Sequence, residues 1–505
     1  MRLGFVIDHN RCIGCHACTV ACKEENGVPL GVFRTWVKYV EKGEFPNTRR
    51  HFAVLRCNHC DRAPCVTICP TVALFRRDNG IIDFDRERCI GCKACMQACP
   101  YDAIHLDPQT NTAAKCHFCA HRVEVGLEPA CVIACPTQAI LTGDLDDPRA
   151  PISRLIAREP VQVRKPEQGT QPKLFYLGAD AAALTPGMAE PQLQHMWSET
   201  TAEDQTLWRL LERRNGATTK PVDALARTVY DIPHLRAPWG WRVSAYLWTK
   251  GIAAGAMLLA ALGLAGPVGG VPAAVTALVF TALTGLLLVL DLKRPERFFY
   301  IFTKANSRSW LVRGAWVLNA FGAGIGLWLL GAVFGWSGFL NALRAVEVAL
   351  SVAAAGYSAF LFGQAEGRDF WQSPLLFVHL VVSAAAAGAA TLVLVALAGG
   401  LGNAALAPLG AALTVSLTLH ALAVGADVLV PHPNQDAARA ARLLTVGAYR
   451  TRFWGGVAAA GTLLPLALLA LGGPIALGAA AGLALAGLLL YEDLWIRAGQ
   501  AVPLS

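Results

Sequence analysis

The stretch CIGCKACMQACP, residues 89–100, decides how this chain is read. Cys89, Cys92 and Cys95 are each separated by two residues, Cys99 follows three residues on, and Pro100 comes next. In such a run the first three thiolates hold one [4Fe–4S] cluster and the fourth reaches a neighbouring one. A short loop can wrap three corners of a cubane. A chain that leaves the loop as a helix points its next thiolate elsewhere.

The run is one of four. Group one is Cys12, Cys15, Cys18 and Cys22; group two is Cys57, Cys60, Cys65 and Cys69; group three is the run above; group four is Cys116, Cys119, Cys131 and Cys135. Pro70, Pro100 and Pro136 follow the last cysteine in three of them. All sixteen cysteines of the 505 residues fall between Cys12 and Cys135. A secreted disulfide scaffold would be short and would spread its cysteines through the fold. Zinc pairs and redox disulfides are the competing readings, and four registered groups with no spare thiol favour iron–sulfur clusters over both.

Composition changes abruptly near residue 240. The first half is polar; from Trp241 onward Ala, Leu, Gly and Val dominate. Apolar runs long enough to cross a bilayer are expected at 243–265, 271–290, 311–333, 345–362, 375–398, 405–429, 454–471 and 474–493. The last two meet in a hairpin at Gly472-Gly473-Pro474, and Trp241, Trp248, Trp310, Trp371, Trp454 and Trp495 stand where interfacial anchors belong. The fold expected is an α+β ferredoxin-like domain with four [4Fe–4S] clusters (1–190), a polar connector (191–240) and an all-α membrane domain of eight helices (241–505). Within the connector, Thr201–Asp204 resembles a capping box ahead of Leu207, Leu210 and Leu211. The net charge of +8 is modest and does not call for nucleic acid.

The order and internal spacing of the four groups resemble the four-cluster ferredoxin subunit of molybdopterin oxidoreductases, over residues 1–190. That resemblance implies crossed ligand sets: Cys12/Cys15/Cys18/Cys135, Cys116/Cys119/Cys131/Cys22, Cys57/Cys60/Cys65/Cys99 and Cys89/Cys92/Cys95/Cys69. Some relatives replace a group-two cysteine with Trp and hold a three-iron cluster; this chain keeps all four. The loop DLKRPERFFYIFTKANSRSWLVRGAW (291–316), GAYRTRFWGG (447–456) and the AGQAVPL near the C-terminus are similar to the quinone-reactive NrfD/PsrC-type membrane subunit. The implied partners are a catalytic molybdopterin (bis-MGD) subunit, the lipid bilayer and the membrane quinone pool, menaquinone or ubiquinone.

Ionisable residues within spans are expensive and therefore functional suspects. Lys250 is placed about one turn into the first span, Tyr246 beside it, Asp291 at the end of the second, Glu347 at the start of the fourth, and His379, His420 and Asp427 in the fifth and sixth. The resemblance sets a quinone pocket at the ferredoxin-facing end of the first four spans. Lys250, Asp291 and Tyr246 are the candidates to hold the quinone and move its protons. A haem between His379 and His420 is the competing reading, and none is expected.

Eight spans put both chain ends on one side. Connections on that side carry Lys293, Arg294, Arg297, Lys304, Arg308, Arg313, Arg368, Arg439, Arg442, Arg450, Arg452 and Arg497; the opposite side carries Arg344. This bias, with no export signal ahead of Cys12, predicts a multi-pass inner-membrane protein whose ferredoxin domain faces the cytoplasm. The counter-reading pairs these arginines with the ferredoxin domain. With no site for soluble-substrate chemistry, the chain reads as the electron-transfer and quinone-reactive subunit of an oxidoreductase complex, a cytoplasm-facing sulfite dehydrogenase by analogy. The alternatives are a redox-driven proton-translocating subunit and a periplasm-facing polysulfide, thiosulfate or dimethyl sulfoxide reductase.

Overall fold

A computed structural model describes residues 1–190, 225–234 and 237–505. The helix expected after Thr201–Asp204, with Leu207, Leu210 and Leu211, lies outside the described residues.

The polar half is built from small sheets. Strand β1 (Leu3–Asp8) enters group one, and β8 (Ile140–Asp144) leaves group four. They pair antiparallel, Ile7 opposite Ile140, and β9 (Leu174–Leu177) adds parallel to β1. The two ends of the cysteine block are thus tied into one unit, and the helix carrying Cys18 packs on that carrying Cys131. Strands β2 (Thr35–Glu44) and β3 (Asn47–Arg56) form a long hairpin. Strand β10 (Ala226–Tyr230), inside the stretch read as connector, pairs with β2. Two further hairpins repeat one design: β4 (Leu74–Arg76) with β5 (Ile82–Phe84) follows Cys69-Pro70, and β6 (Ile104–Leu106) with β7 (Ala113–Lys115) follows Cys99-Pro100.

The apolar half has eight helices long and apolar enough to span a membrane: Trp241–Ala261, Val271–Asp291, Trp310–Val333, Ser337–Gly363, Leu376–Ala398, Ala404–Leu429, Arg452–Leu471 and Pro474–Ala501. The first span is central and packs on the second, fourth, fifth and eighth. Its Gly251 and Gly255 face Ala384 and Gly388 of the fifth. A Cβ at Gly255 would strike the Ala384 carbonyl, so only small residues permit this approach.

Several sequence-level placements need correction. The fourth span starts at Ser337 rather than 345, and the eighth runs to Ala501 rather than 493. An apolar-run criterion stops at Arg344 and at Glu492-Asp493, whereas the helix continues through both. Arg344 is therefore in a helix, and Glu347 is the eleventh residue of its span, fully buried rather than at its start. Lys250 is not one turn deep: it lies nine residues past Trp241, about 14 Å along the axis. Trp371 and Trp495 are not interfacial anchors. Both are buried and form an aromatic cluster with Trp239, which stacks on Trp371 at 5.6 Å between centroids.

Candidate iron–sulfur and membrane sites

The four cysteine groups share a backbone design. The residue before the second cysteine has positive φ in each: Gly14 (71°), His59 (46°), Gly91 (68°) and Phe118 (63°). That left-handed step turns the chain around the point where the thiols converge. The third cysteine sits on a short helix in each group: Cys18 in Ala17–Asn26, Cys65 in Pro64–Ile68, Cys95 in Ala94–Ala98 and Cys131 in Ala130–Ile133. Cys69 and Cys99 cap the far ends of their helices, so third and fourth thiols diverge. After Cys69, Cys99 and Cys135 the chain turns left-handed again at Val72 (53°), Asp102 (54°) and Gln138 (50°). A β-branched residue pays most for that conformation, so Val72 is held there by its surroundings.

The thiols stand around voids. Cys69, Cys89, Cys92 and Cys95 line one. Cys22, Cys116, Cys119 and Cys131 line another. Cys65 is surrounded by Cys57, Cys60 and Cys99, and Cys12 lies beside Cys15 and Cys135. Among the described residues no three His, Cys, Asp or Glu converge as ligands of a single ion do. Backbone amides point at sulfur: Gly91 and Ala113 donate to Cys89 Sγ at 3.4 Å, and Ala139 donates to Cys135 Sγ at 3.2 Å. Burial pushes the Cys92 and Cys116 thiols up to about 12. Bare thiols there would stay protonated at neutral pH, whereas bound iron would hold them as thiolates. Buried, crossed and amide-facing thiols fit [4Fe–4S] clusters.

The void between Cys69 and Cys89–Cys95 lies against the membrane half. Lys293 N donates to Gly91 O at 3.3 Å, and Arg294 N to Ile90 O at 3.2 Å. Asn306 Nδ2 donates to Cys69 O at 2.8 Å, Ser309 Oγ to Ile68 O at 2.7 Å and Trp239 Nε1 to Cys92 O at 3.1 Å. Arg297 Nη1 donates to Arg86 O at 2.7 Å and to Cys89 O at 3.1 Å. Beside this seam Arg368 Nε donates to Gln97 Oε1 at 2.8 Å, and Gln97 Nε2 to Gln500 Oε1 at 2.6 Å. Several cations counted for orientation thus bind the ferredoxin half, as the counter-reading holds.

The three membrane candidates separate into two places. Asp291 is at the seam, paired with Lys93 at 2.9 Å, and not with Lys250, Arg294 or Arg297. Lys250 is inside the bundle, where Nζ donates to Ser358 Oγ at 2.7 Å and to Ala355 O at 2.9 Å, with the Tyr357 ring 4.5 Å away. Tyr246 shares Ser358 with it. Lys250 and Glu492 line one void with Trp248, Leu380 and Ser383. Glu492 escaped the sequence reading because YED was taken as the end of the apolar run; the signal was a carboxylate within one turn of it. His379 Nδ1 is 3.0 Å from Asp427 Oδ2, and its Nε2 is 3.2 Å from His420 Nδ1, so the two imidazoles meet each other directly.

Residues 233–503, more than half of the sequence, match the family described as polysulphide reductase, NrfD. The protein belongs to the NrfD family. Ahead of that region, residues 49–145 match a 4Fe-4S dicluster domain and residues 9–27 a 4Fe-4S binding domain. The ferredoxin half is similar to a tetrathionate reductase subunit of Salmonella typhimurium, 47% identical over 204 residues, covering 39% of this chain and 80% of that protein. It is similar to the protein NrfC of Escherichia coli, 47% identical over 178 residues, covering 35% and 80%. It is also similar to a polysulfide reductase chain of Wolinella succinogenes, 41% identical over 179 residues, covering 34% and 93%. Here the iron–sulfur half and the NrfD half are joined in one multi-pass membrane polypeptide.

Proposed function

We propose that this chain joins a catalytic molybdopterin (bis-MGD) subunit to the membrane quinone pool. Residues 1–190 hold four [4Fe–4S] clusters in the crossed sets, 191–240 connect, and 241–505 bind quinone. When bound, the clusters supply one-electron relays. The observation that carries the reading is the void of Cys69, Cys89, Cys92 and Cys95, gripped through its backbone by the loop after the second span. The membrane end of the relay belongs there. The aromatic cluster of Trp239, Trp371 and Trp495 lies against the same seam.

In the NrfD half, Lys250 offers a donor to a quinone carbonyl, and Glu492, facing the same void, can exchange a proton with it. Asp291 instead holds the two halves together through Lys93. Names carried by relatives, tetrathionate and polysulfide reductase, support an inorganic sulfur compound as the partner's substrate, sulfite among them. Connections on the side away from the ferredoxin half carry no Lys or Arg, which supports a cytoplasmic ferredoxin half even after the seam arginines are set aside. No haem enters the proposal, which rests on the NrfD match rather than on a histidine-ligated anchor.

Identification of the polypeptide that co-purifies tests the partner. Metal analysis tests the clusters: about sixteen irons per chain are expected, and zinc in their place or about half the iron defeats the reading. Lys250→Met should raise the quinone KM or abolish turnover with every cluster still reducible; unchanged kinetics would remove Lys250 from the site. A second reading, redox-driven proton translocation, is favoured by one observation. Among the described residues, both carboxyl oxygens of fully buried Glu347, and the Ser351 hydroxyl one turn on, have no hydrogen-bond partner. Acidification or its absence in liposomes during quinone turnover decides it.

A further inference from the structure

Arg56 ends β3 and immediately precedes Cys57, yet its side chain serves a different cysteine group. Arg56 is 1% exposed. Nη1 donates to Cys131 Sγ at 3.0 Å, and the group lies over the Phe5 ring at 4.7 Å. Together with Cys22, Cys116, Cys119 and Cys131 it lines one void. Nε and Nη2 are buried and, among the described residues, have no hydrogen-bond partner. Among the described residues no carboxylate pairs with it.

A guanidinium stays protonated, so this is a permanent buried charge. A buried charge persists only when something compensates it. Among the described residues the protein side does not: one nitrogen meets a sulfur and the others meet no partner. The other buried cations near thiols make more contacts with protein groups: Arg34, which lines the same void, donates Nη1 to Asn26 Oδ1 at 3.2 Å and lies 3.5 Å from His117 Nδ1. Lys93 is paired with Asp291 at 2.9 Å, and Lys115 Nζ donates to the carbonyls of Ile82 and Cys116. What remains to compensate Arg56 is the negative charge of four thiolates and a cluster core.

We propose that Arg56 is the counter-ion and hydrogen-bond donor of the cluster held by Cys22, Cys116, Cys119 and Cys131, and that it holds that cluster at a higher potential than its neighbours. The inference rests on the crossed ligation proposed above. Reduction adds one electron and one negative charge to the cluster while Arg56 keeps its proton. A fixed cation at hydrogen-bond distance from a ligating sulfur therefore favours the reduced form. Net charge and hydrogen bonds to sulfur are the protein's means of setting such potentials. Arg56 is a positioning residue: it does not ligate iron and exchanges no electron.

The test is a redox titration of the full chain followed by electron paramagnetic resonance. Cys22→Ser and Cys131→Ser assign the signal, since both should disturb the same cluster. If they disturb different clusters, the crossed ligation is wrong and the assignment of Arg56 falls with it. With the signal assigned, Arg56→Gln should lower its midpoint by at least tenfold in the one-electron equilibrium, about 59 mV, with a smaller shift at the cluster of Cys18, which also feels Arg56, and the other two midpoints unmoved. Arg56→Lys keeps the charge and gives up the planar fork, so its shift should be smaller and in the same direction. A fully loaded Arg56→Gln variant with four unchanged midpoints overturns the proposal. If Arg56→Gln loses iron, Arg56→Lys decides: iron retained with a midpoint shift below about 59 mV supports the charge, and iron lost there too means that Arg56 only fills space.

Discussion

Replacing Asp291 by Asn should loosen the contact between the two halves rather than slow quinone chemistry directly. Lys93 and Asp291 approach to 2.9 Å with side chains only 6% and 14% exposed. At that distance and an effective dielectric constant of about 20, the attraction is about 6 kcal/mol before desolvation is subtracted. Removing one partner of a buried pair leaves the other charge stranded and costs about 3–5 kcal/mol. The hydrogen bonds from Lys293 N to Gly91 O and from Arg294 N to Ile90 O lie in the same seam. Their amide exchange reports how often the seam opens. At about 1.4 kcal/mol per factor of ten, a loss of 3 kcal/mol speeds exchange at Lys293 and Arg294 about a hundredfold. A double variant, Lys93→Met with Asp291→Leu, removes both charges and should recover most of the protection, giving a coupling of at least about 2 kcal/mol. Exchange changed by less than tenfold in Asp291→Asn, or no recovery in the double variant, would refute this account of the pair.

Three other outcomes are expected. Cys22→Ser should alter the cluster carried by Cys116, Cys119 and Cys131 and leave that of Cys12, Cys15 and Cys18 intact; the opposite pattern means that each group builds its own cluster. Alkaline phosphatase inserted at Gly400, in the exposed connection after the fifth span, should be active if the ferredoxin half is cytoplasmic, and silent if it is not. Burial works against the charged form of His234, but Asp102 and Asp231 outweigh it and raise its pKa to about 9. Its contribution to stability is therefore complete below about pH 6.5 and lost as pH rises through 9. The thermal midpoint should fall across that window, and His234→Asn should flatten the fall.

The cysteine register and the eight apolar runs were legible because each is a local signal, a spacing or a length. Which groups share a unit was not local. It follows from β1 pairing with β8 across more than a hundred residues, and only the family resemblance supplied it in advance. Span ends were misjudged where charge and helix disagree, at Arg344 and at Glu492-Asp493. Asp493 is satisfied by Arg497 at 2.7 Å, an i,i+4 pair that lets the helix run on. Asp291 and Lys250 looked like neighbours because both are ionisable near the same face. Depth along a helix separates them, and the partner that captured Asp291 comes from the other half of the chain. Arg56 carries no sequence signal, since an arginine before a cysteine is ordinarily a surface residue.

The grip of the membrane loops on the carbonyls of Ile68, Cys69, Cys89, Gly91 and Cys92 has a consequence in time as well as in space. Once Trp239, Lys293, Asn306 and Ser309 are bonded to those turns, the membrane-facing side of the site is covered, while Cys89 and Cys92 stay partly exposed. Iron and sulfide should therefore reach Cys69, Cys89, Cys92 and Cys95 most readily while the ferredoxin half is still separate from the helices. Biogenesis acquires a direction: cofactor loading first, closure of the seam second. A cell starved of iron would accumulate inserted helices with an undocked head, a form that proteases could distinguish from the finished protein.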